Sequence, residues 1–463
     1  MNKLSIKNYK LLLTTHCLLL TFFLFTSHFS LLTFSAYAED TITLENFLTL
    51  SDAIKIAIDN STGVQVSEKQ LKSAELDVTN SWAPLLPQVS VSANFAKQDP
   101  INPAPSSGDS LSRNPQFAAM LGTSSVNSFN STLQATQVVF SGFRIIDGIK
   151  IANISVTLMK ESLNQAKQDV ALNVILAYFN ALKAYKLVEV TQEALKQAES
   201  HLDVANKLLK AGTGIKLDVI RAQNQIVTVQ QQLSQNRNNF YKAKISLNLV
   251  MGRNFDIPVT LNTCATIQDL DINEEKAIES ALANRTELKQ LQYKKEIDEV
   301  SGLIQSRATW PTIALSASYG IRDSAVTNGN LTDTQNMTYG VNMNWPIFDG
   351  LSAHAKSQKA QNSVVQDQLN LNQLRQSIGV EIKKTILDIN EAKERIIMAQ
   401  QGVTLAKEVL RMAEVRYEAG VGVSLDVIDA QVGLLQAEMN LVFADFDLNT
   451  SKAKFYRTLG VNL

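Results

Sequence analysis

The chain has 463 residues, 43 Lys and Arg against 44 Asp and Glu, two Cys and four His. His16, His28 and Cys17 lie in the first 38 residues, which leaves His201, His354 and Cys264 for the rest. This excludes a strongly basic nucleic-acid binder, a disulfide framework and a Cys/His zinc cluster, and leaves little material for histidine-based catalysis.

Residues 1–10 carry Lys3, Lys7 and Lys10, residues 11–34 are mostly Leu, Phe and Thr, and Ala36-Tyr37-Ala38 follows. A basic stretch, an apolar stretch and an A-x-A site predict a secretory signal peptide over 1–38. An N-terminal membrane anchor is the alternative, since the apolar stretch is long. Cys17 follows the bulky His16, which is wrong for lipoprotein processing, and reads as leader filler. Cleavage leaves 425 residues with 40 basic and 44 acidic side chains, a net charge of −4. Past residue 38 no stretch approaches the ~20 apolar residues of a membrane helix. The exported chain is therefore soluble or enters a membrane as strands.

The remainder is one unit written twice. Residues 53–95 align with 277–319 at an offset of 224, matching Ala53-Ile54 to Ala277-Ile278, Asn60 to Asn284 and Pro87 to Pro311. Residues 140–252 align with 348–460 at an offset of 208, matching Ala211-Gly212 to Ala419-Gly420 and Leu217-Asp218-Val219 to Leu425-Asp426-Val427. The first copy has 16 extra residues between 96 and 128, a stretch holding Pro100, Pro103, Pro105 and Pro115, which reads as a loop. The predicted first repeat covers 39–252, with a helix, a strand hairpin at 88–140 and long helices at 149–210 and 215–250. A connector spans 253–276. The second repeat covers 277–463, with a helix, a hairpin at 312–348 and long helices at 355–418 and 424–458. No proline lies in 116–257 or after 346, so long helices can run there.

The strands alternate. Val89, Val91, Ala93 and Phe95 oppose Ser90, Ser92 and Asn94; Ile313, Leu315, Ala317, Tyr319 and Ile321 oppose Thr312, Ala314, Ser316 and Ser318. Tyr339, Val341, Met343, Trp345 and Ile347 oppose Thr338, Gly340, Asn342 and Asn344, and a weaker pattern runs over 129–139. One apolar and one small polar face suits either a membrane barrel with a wet lumen or a solvated sheet. Strands of ~10 residues can cross a bilayer, but four cannot close a barrel, so spanning requires several chains. In the long helices, Leu195, Ala198, Leu202, Ala205 and Leu209 step by 3, 4, 3, 4, as do Val403, Ala406, Leu410, Ala413 and Tyr417. That is a heptad seam between lengthwise-packed helices.

With these features the sequence resembles the TolC family of outer-membrane efflux and secretion channels over essentially the whole mature chain. The resemblance is carried by Leu50-Ser51-Asp52-Ala53-Ile54 with Ala57 and Asn60, Pro84-Leu85-Leu86-Pro87, Trp310-Pro311, Val139-Phe140-Ser141-Gly142 and Pro346-Ile347-Phe348-Asp349-Gly350. The most specific match is the turn from Tyr417-Glu418-Ala419-Gly420 through Val421-Gly422-Val423-Ser424 to Asp426 and Asp429-Ala430-Gln431. The resemblance implies a mainly helical, duplicated chain that trimerises. Three chains would share a 12-stranded outer-membrane β-barrel, continuous with a long periplasmic α-helical barrel. It implies an equatorial belt from 39–52, 253–280 and the C-terminal end. It also implies a passive exit duct of a tripartite efflux pump or type I secretion system, served by a periplasmic adaptor and an inner-membrane transporter of RND, ABC or MFS type. No cofactor, metal or nucleic acid is implied, and no catalytic constellation is present.

Positions matching Asp426 and Asp429 line the family's narrowest opening, where three chains would stack two carboxylate rings. Helix-dipole stabilisation by Asp426 and Asp218, with Ser424 as N-cap, is the structural alternative. The first-copy equivalent of Asp429 is Arg221, so the halves differ there. Positions matching Asp218 and Tyr417 latch the family's closed tip, although Tyr417 also ends the heptad seam. The family's latch Arg is replaced by Gly422, so one link is absent. Gly212, Gly214, Gly420, Gly422 and Ser424 match the turns where the adaptor docks, and C-capping explains Gly212 and Gly420 equally well. His201 and His354 read as helix-surface residues and Cys264 as a buried thiol. A periplasmic adaptor is the alternative function, though adaptors carry one hairpin flanked by lipoyl-like strands. A trimeric adhesin would lack the tight glycine turns.

Overall fold

The computed structural model describes residues 47–98, 126–263, 265–268, 273–326 and 332–461. The expected signal peptide, most of the proline-rich insertion and Cys264 lie outside these residues. The elements run α1 (Leu50–Asn60), α2 (Thr62–Trp82), β1 (Gln88–Gln98), β2 (Val126–Phe140), α3 (Arg144–Lys210) and α4 (Lys216–Val250). The same order then repeats as α5 (Glu274–Asn284), α6 (Thr286–Ser306), β3 (Thr312–Val326), β4 (Thr332–Asn344), α7 (Ser352–Glu418) and α8 (Ser424–Leu459).

The equivalent short helices α1 and α5 begin on side-chain caps. Thr49 Oγ1 accepts from Asp52 N at 3.2 Å, and Asn273 Oδ1 from Glu275 N at 3.0 Å. The long helices α3 and α7 have 67 residues each, which at 1.5 Å per residue is ~100 Å. They start ahead of the expected 149 and 355 because the chain turns sharply from strand to helix. Gly142 and Phe143, and again Gly350 and Leu351, have left-handed backbones with φ between 62° and 68°. A Cβ on Gly142 would lie 2.7 Å from the Cβ of Trp310, so the Phe-x-Gly motif answers a close approach as well as a turn. The Phe143 ring packs edge-on against Trp310 at 6.1 Å, and Arg307 pairs with Asp147 beneath it. Strand β4 stops at Asn344, short of the expected 347, because Pro346 has no N–H to donate to a ladder.

The main core lies midway along α3, where Val174, Ile175, Tyr178, Phe179 and Leu182 are buried against Leu247 of α4 and Met251 just past its end, Phe446 and Ala453 of α8, and Ala53 and Ala57 of α1. The Tyr178 hydroxyl is shared between the carbonyls of Leu48 and Asn262, at 2.9 and 3.0 Å, which ties down the short parallel bridge from Leu48 to Leu261. A second core joins α5, α7 and α8 through Ala281, Ile378, Ile382, Ile389 and Phe455. No described helix is long and apolar enough to cross a membrane.

Candidate functional site

The sheet presents the first functional surface. Its order is β1-β2-β3-β4, antiparallel throughout. The register aligns Val91 with Leu133, Leu133 with Tyr319 and Tyr319 with Met337; the next row is Val89, Ala135, Ala317 and Tyr339. In these two rows one face is wholly apolar and its large side chains are exposed, while Ser131, Gln137 and Gln335 interrupt it in the rows beside them. The opposite face carries Ser92, Thr132, Gly320 and Asn336, then Ser90, Gln134, Ser318 and Thr338. No charge lies in these rows. Strands β1 and β4 each leave one edge unpaired within the chain, and such edges must be paired, covered or blunted. The three tryptophans, Trp82, Trp310 and Trp345, are each about half exposed at the ends of α2, α6 and β4, where sheet meets helices.

The second surface is the far end of the helices, where α3 turns into α4 and α7 into α8. The two turns have the same geometry. Gly212 and Gly420 are left-handed at φ 79° and 73°. Thr213 N and Gly214 N both donate to Leu208 O, and Val421 N and Gly422 N both donate to Arg416 O. A Cβ on Gly214 would lie 2.8 Å from Leu209 N, and one on Gly422 2.9 Å from Tyr417 N. Each turn itself therefore requires both of its glycines. A Cβ on Gly212 or Gly420 would meet open space, so these two sit on the outer surface.

Asp426 and Asp429 are exposed in the first two turns of α8, and neither has an ion-pair partner among the described residues. Arg221, the counterpart of Asp429, is exposed on α4. Asp218 is half-buried in the first turn of α4. Tyr417 is buried at the end of α7, where burial first and the Asp218 carboxylate second raise its pKa. The Ser424 hydroxyl lies close enough to oppose part of that shift, although its geometry toward the Tyr417 hydroxyl falls short of a well-formed hydrogen bond. The structure thus brings Tyr417 and Asp218 into electrostatic range without a hydrogen bond between them.

The structure corrects two expectations. Ser424 is not the N-cap of α8; Val423 is, and Ser424 is completely buried with its Oγ 2.9 Å from His201 Nε2. His201 is not a surface residue but 6% exposed, its ring centroid 5.1 Å from that of Tyr417. His354 is exposed as expected. The signal for His201 was a second stripe on α3. Gln197, His201, Val204 and Leu208 step by 4, 3, 4 beside the main seam, and all four meet the second hairpin. A straight helix drifts ~20° per heptad against a 3.5-residue repeat, so along α3 the contact passes to this stripe. Leu209, expected as the last seam residue, is exposed, and Leu208 packs in its place against the tip core of Val403, Leu410, Tyr417, Val427 and Leu434.

Among the described residues no group of three or more His, Cys, Asp or Glu could hold a metal ion. The chain is 23% identical over 442 residues to the outer membrane protein TolC of Escherichia coli K12, covering 90% of this chain and 85% of TolC. Its fold is that of the CusC channel, with a TM-score of 0.74 at 16% identity over 89% of this chain and 92% of CusC. It also matches the open state of the MtrE outer membrane channel of Neisseria gonorrhoeae, with a TM-score of 0.71 at 19% identity over 89% of each chain. The family model described as outer membrane efflux protein matches twice, over residues 53–253 and 277–461. The chain belongs to this family, that of the TolC channels, and is a protein of the bacterial outer membrane.

Proposed function

We propose that three copies of the chain form one passive conduit. Their twelve strands close a barrel across the outer membrane, and their helices form a hollow α-barrel through the periplasm. The observation that carries this reading is the sheet. It has one mainly apolar face, one small polar face and two open edges, which lipid does not tolerate unless a barrel closes. The duct would be the exit of an efflux pump or type I secretion system, fed by a periplasmic adaptor and an inner-membrane transporter of RND, ABC or MFS type. Residues 1–38 would direct export and be removed. The family match over both halves weighs against the adaptor alternative.

At the tip, Asp426 and Asp429 supply two rings of three carboxylates at the constriction, which favour cations. Their exposure and lack of internal partners support that role. Asp218 and Tyr417 act as a latch between the hairpins. Gly212, Gly214, Gly420 and Gly422 let an adaptor backbone approach, while buried Ser424 holds the turn from within. The purified mature protein should run as a heat-sensitive trimer and form ion-conducting channels in planar bilayers. A soluble monomer without conductance would overturn the reading.

A further inference from the structure

One imidazole fastens the two hairpins of the chain to each other at the tip. His201 projects from α3 and meets both helices of the second hairpin, through Ser424 Oγ on α8 at 2.9 Å and through the Tyr417 ring on α7. One turn back, Gln431 Nε2 of α8 donates to Gln197 O of α3 at 3.1 Å, so the helices are held in register there. The duplication shows that this link is made once per chain. At the offset of 208, the counterparts of His201, Ser424 and Tyr417 are Val409, Lys216 and Leu209, and all three are exposed.

We propose that His201 is a proton-operated bolt: neutral, it holds α7 and α8 against α3 and keeps the tip shut; protonated, it releases them. This rests on the reading of the protein as a gated duct. The groups facing the imidazole are neutral from α7 (Tyr417) and α8 (Ser424). From α4 the Asp218 carboxylate attracts the protonated form. On α3 itself, Asp203 and Lys207 pair with one another at the surface. Burial outweighs the pull of Asp218 and holds the His201 pKa below its ordinary value. The packed tip therefore binds fewer protons than an opened tip whose imidazole is solvated. The stabilisation is complete above the ordinary histidine pKa of ~6.5 and is lost as pH falls through the lower, packed value. Acidification thus favours opening.

Single-channel recording on the assembled mature protein tests this, comparing wild type with His201→Gln from about pH 7.5 to about pH 5.5. In the wild type the conducting fraction should rise on acidification, by up to about tenfold for each unit separating the packed and opened pKa values. In His201→Gln, which keeps a neutral polar group, the rise should vanish. The same rise in both proteins, or none in the wild type, overturns the bolt. Histidine C2 hydrogen exchange on the wild type provides a second test that needs no conductance, with the unfolded protein as standard. His201 should exchange several-fold more slowly and titrate lower in the folded protein than in the unfolded one, and equal behaviour in the two states refutes the proposal. Failure to form channels at all strikes the duct reading instead.

Discussion

Val91 and Ser92 are neighbours in β1 that point to opposite faces of the sheet, and one arginine at each tests which face meets lipid. Val91 lies in the row Val91, Leu133, Tyr319 and Met337; Ser92 lies in the row Ser92, Thr132, Gly320 and Asn336. β1 has 11 residues, which at ~3.3 Å each is ~36 Å, or ~26 Å of depth at a 45° tilt. That matches the ~25 Å apolar band of an outer-membrane barrel and puts Val91 well inside it. Arginine on the lipid face near mid-depth costs ~2–4 kcal/mol. Per copy this is a factor of ~30 to ~1000 in the assembly equilibrium. In a trimer the cost is incurred by every copy. Arginine facing a watery lumen incurs no such cost and adds positive charge to the conduit. Heat-modifiable mobility and outer-membrane fractionation should therefore show Val91→Arg failing to assemble while Ser92→Arg assembles. In bilayers Ser92→Arg should conduct with a shift toward anions. Equal assembly of both variants, or the reverse order, would refute the assignment of faces.

Replacing Asp426 and Asp429 together by Asn should lower cation selectivity in bilayers, and unchanged reversal potentials would remove them from the constriction. Tyr417→Ala should raise the closed-state conductance by removing the ring that packs on His201. Tyr417→Phe keeps the ring but removes the hydroxyl beside Asp218 and Ser424, so it should raise that conductance less, and no change in either variant would remove Tyr417 from the latch. All intrinsic tryptophan emission comes from the sheet–helix junction, so lipids brominated near the headgroup should quench it more than lipids brominated at the chain ends. Equal quenching would place the junction away from the interface.

What the sequence shows most clearly is what depends on local period. The proline map and heptads marked both 67-residue helices, and alternation marked the apolar faces of β1, β3 and β4. What it concealed depends on partners distant in the chain. Phe140-Ser141-Gly142 stands out in the sequence as a family match, whereas its left-handed Gly142-Phe143 pair lies against Trp310, far along the chain. Ser424 has the composition and position of an N-cap, yet its hydroxyl is taken by a histidine 223 residues away. His201 is polar beside the obvious seam and so looks solvated until a third helix covers it. The same holds for Leu208 and Leu209, where the helix repeat leaves either one as the next seam residue and only the packing of α7 and α8 selects Leu208.

The duplication also turns the tip into an experiment on itself. The two turns share their glycines and their hydrogen bonds, so the backbone alone does not distinguish the copies. The side chains do: His201, Ser424 and Tyr417 meet within the chain, whereas Val409, Lys216 and Leu209 are left exposed. If each repeat plays the same part in a closed ring, α7 of one copy faces α4 of the next as α3 faces α8 within a copy. Val409 of one copy would then oppose Lys216 and Leu209 of its neighbour. Converting these three to His, Ser and Tyr would build the missing bolt across the seam between chains and double the number of titrating links. The triple variant Val409→His, Lys216→Ser, Leu209→Tyr should then close more firmly at neutral pH. Its conducting fraction should rise more steeply on acidification than that of the wild type, because two links per chain rather than one must take up a proton. An unaltered slope, with the trimer intact, would show that the two seams of the ring are not equivalent and that the internal repeat does not extend to the contacts between chains.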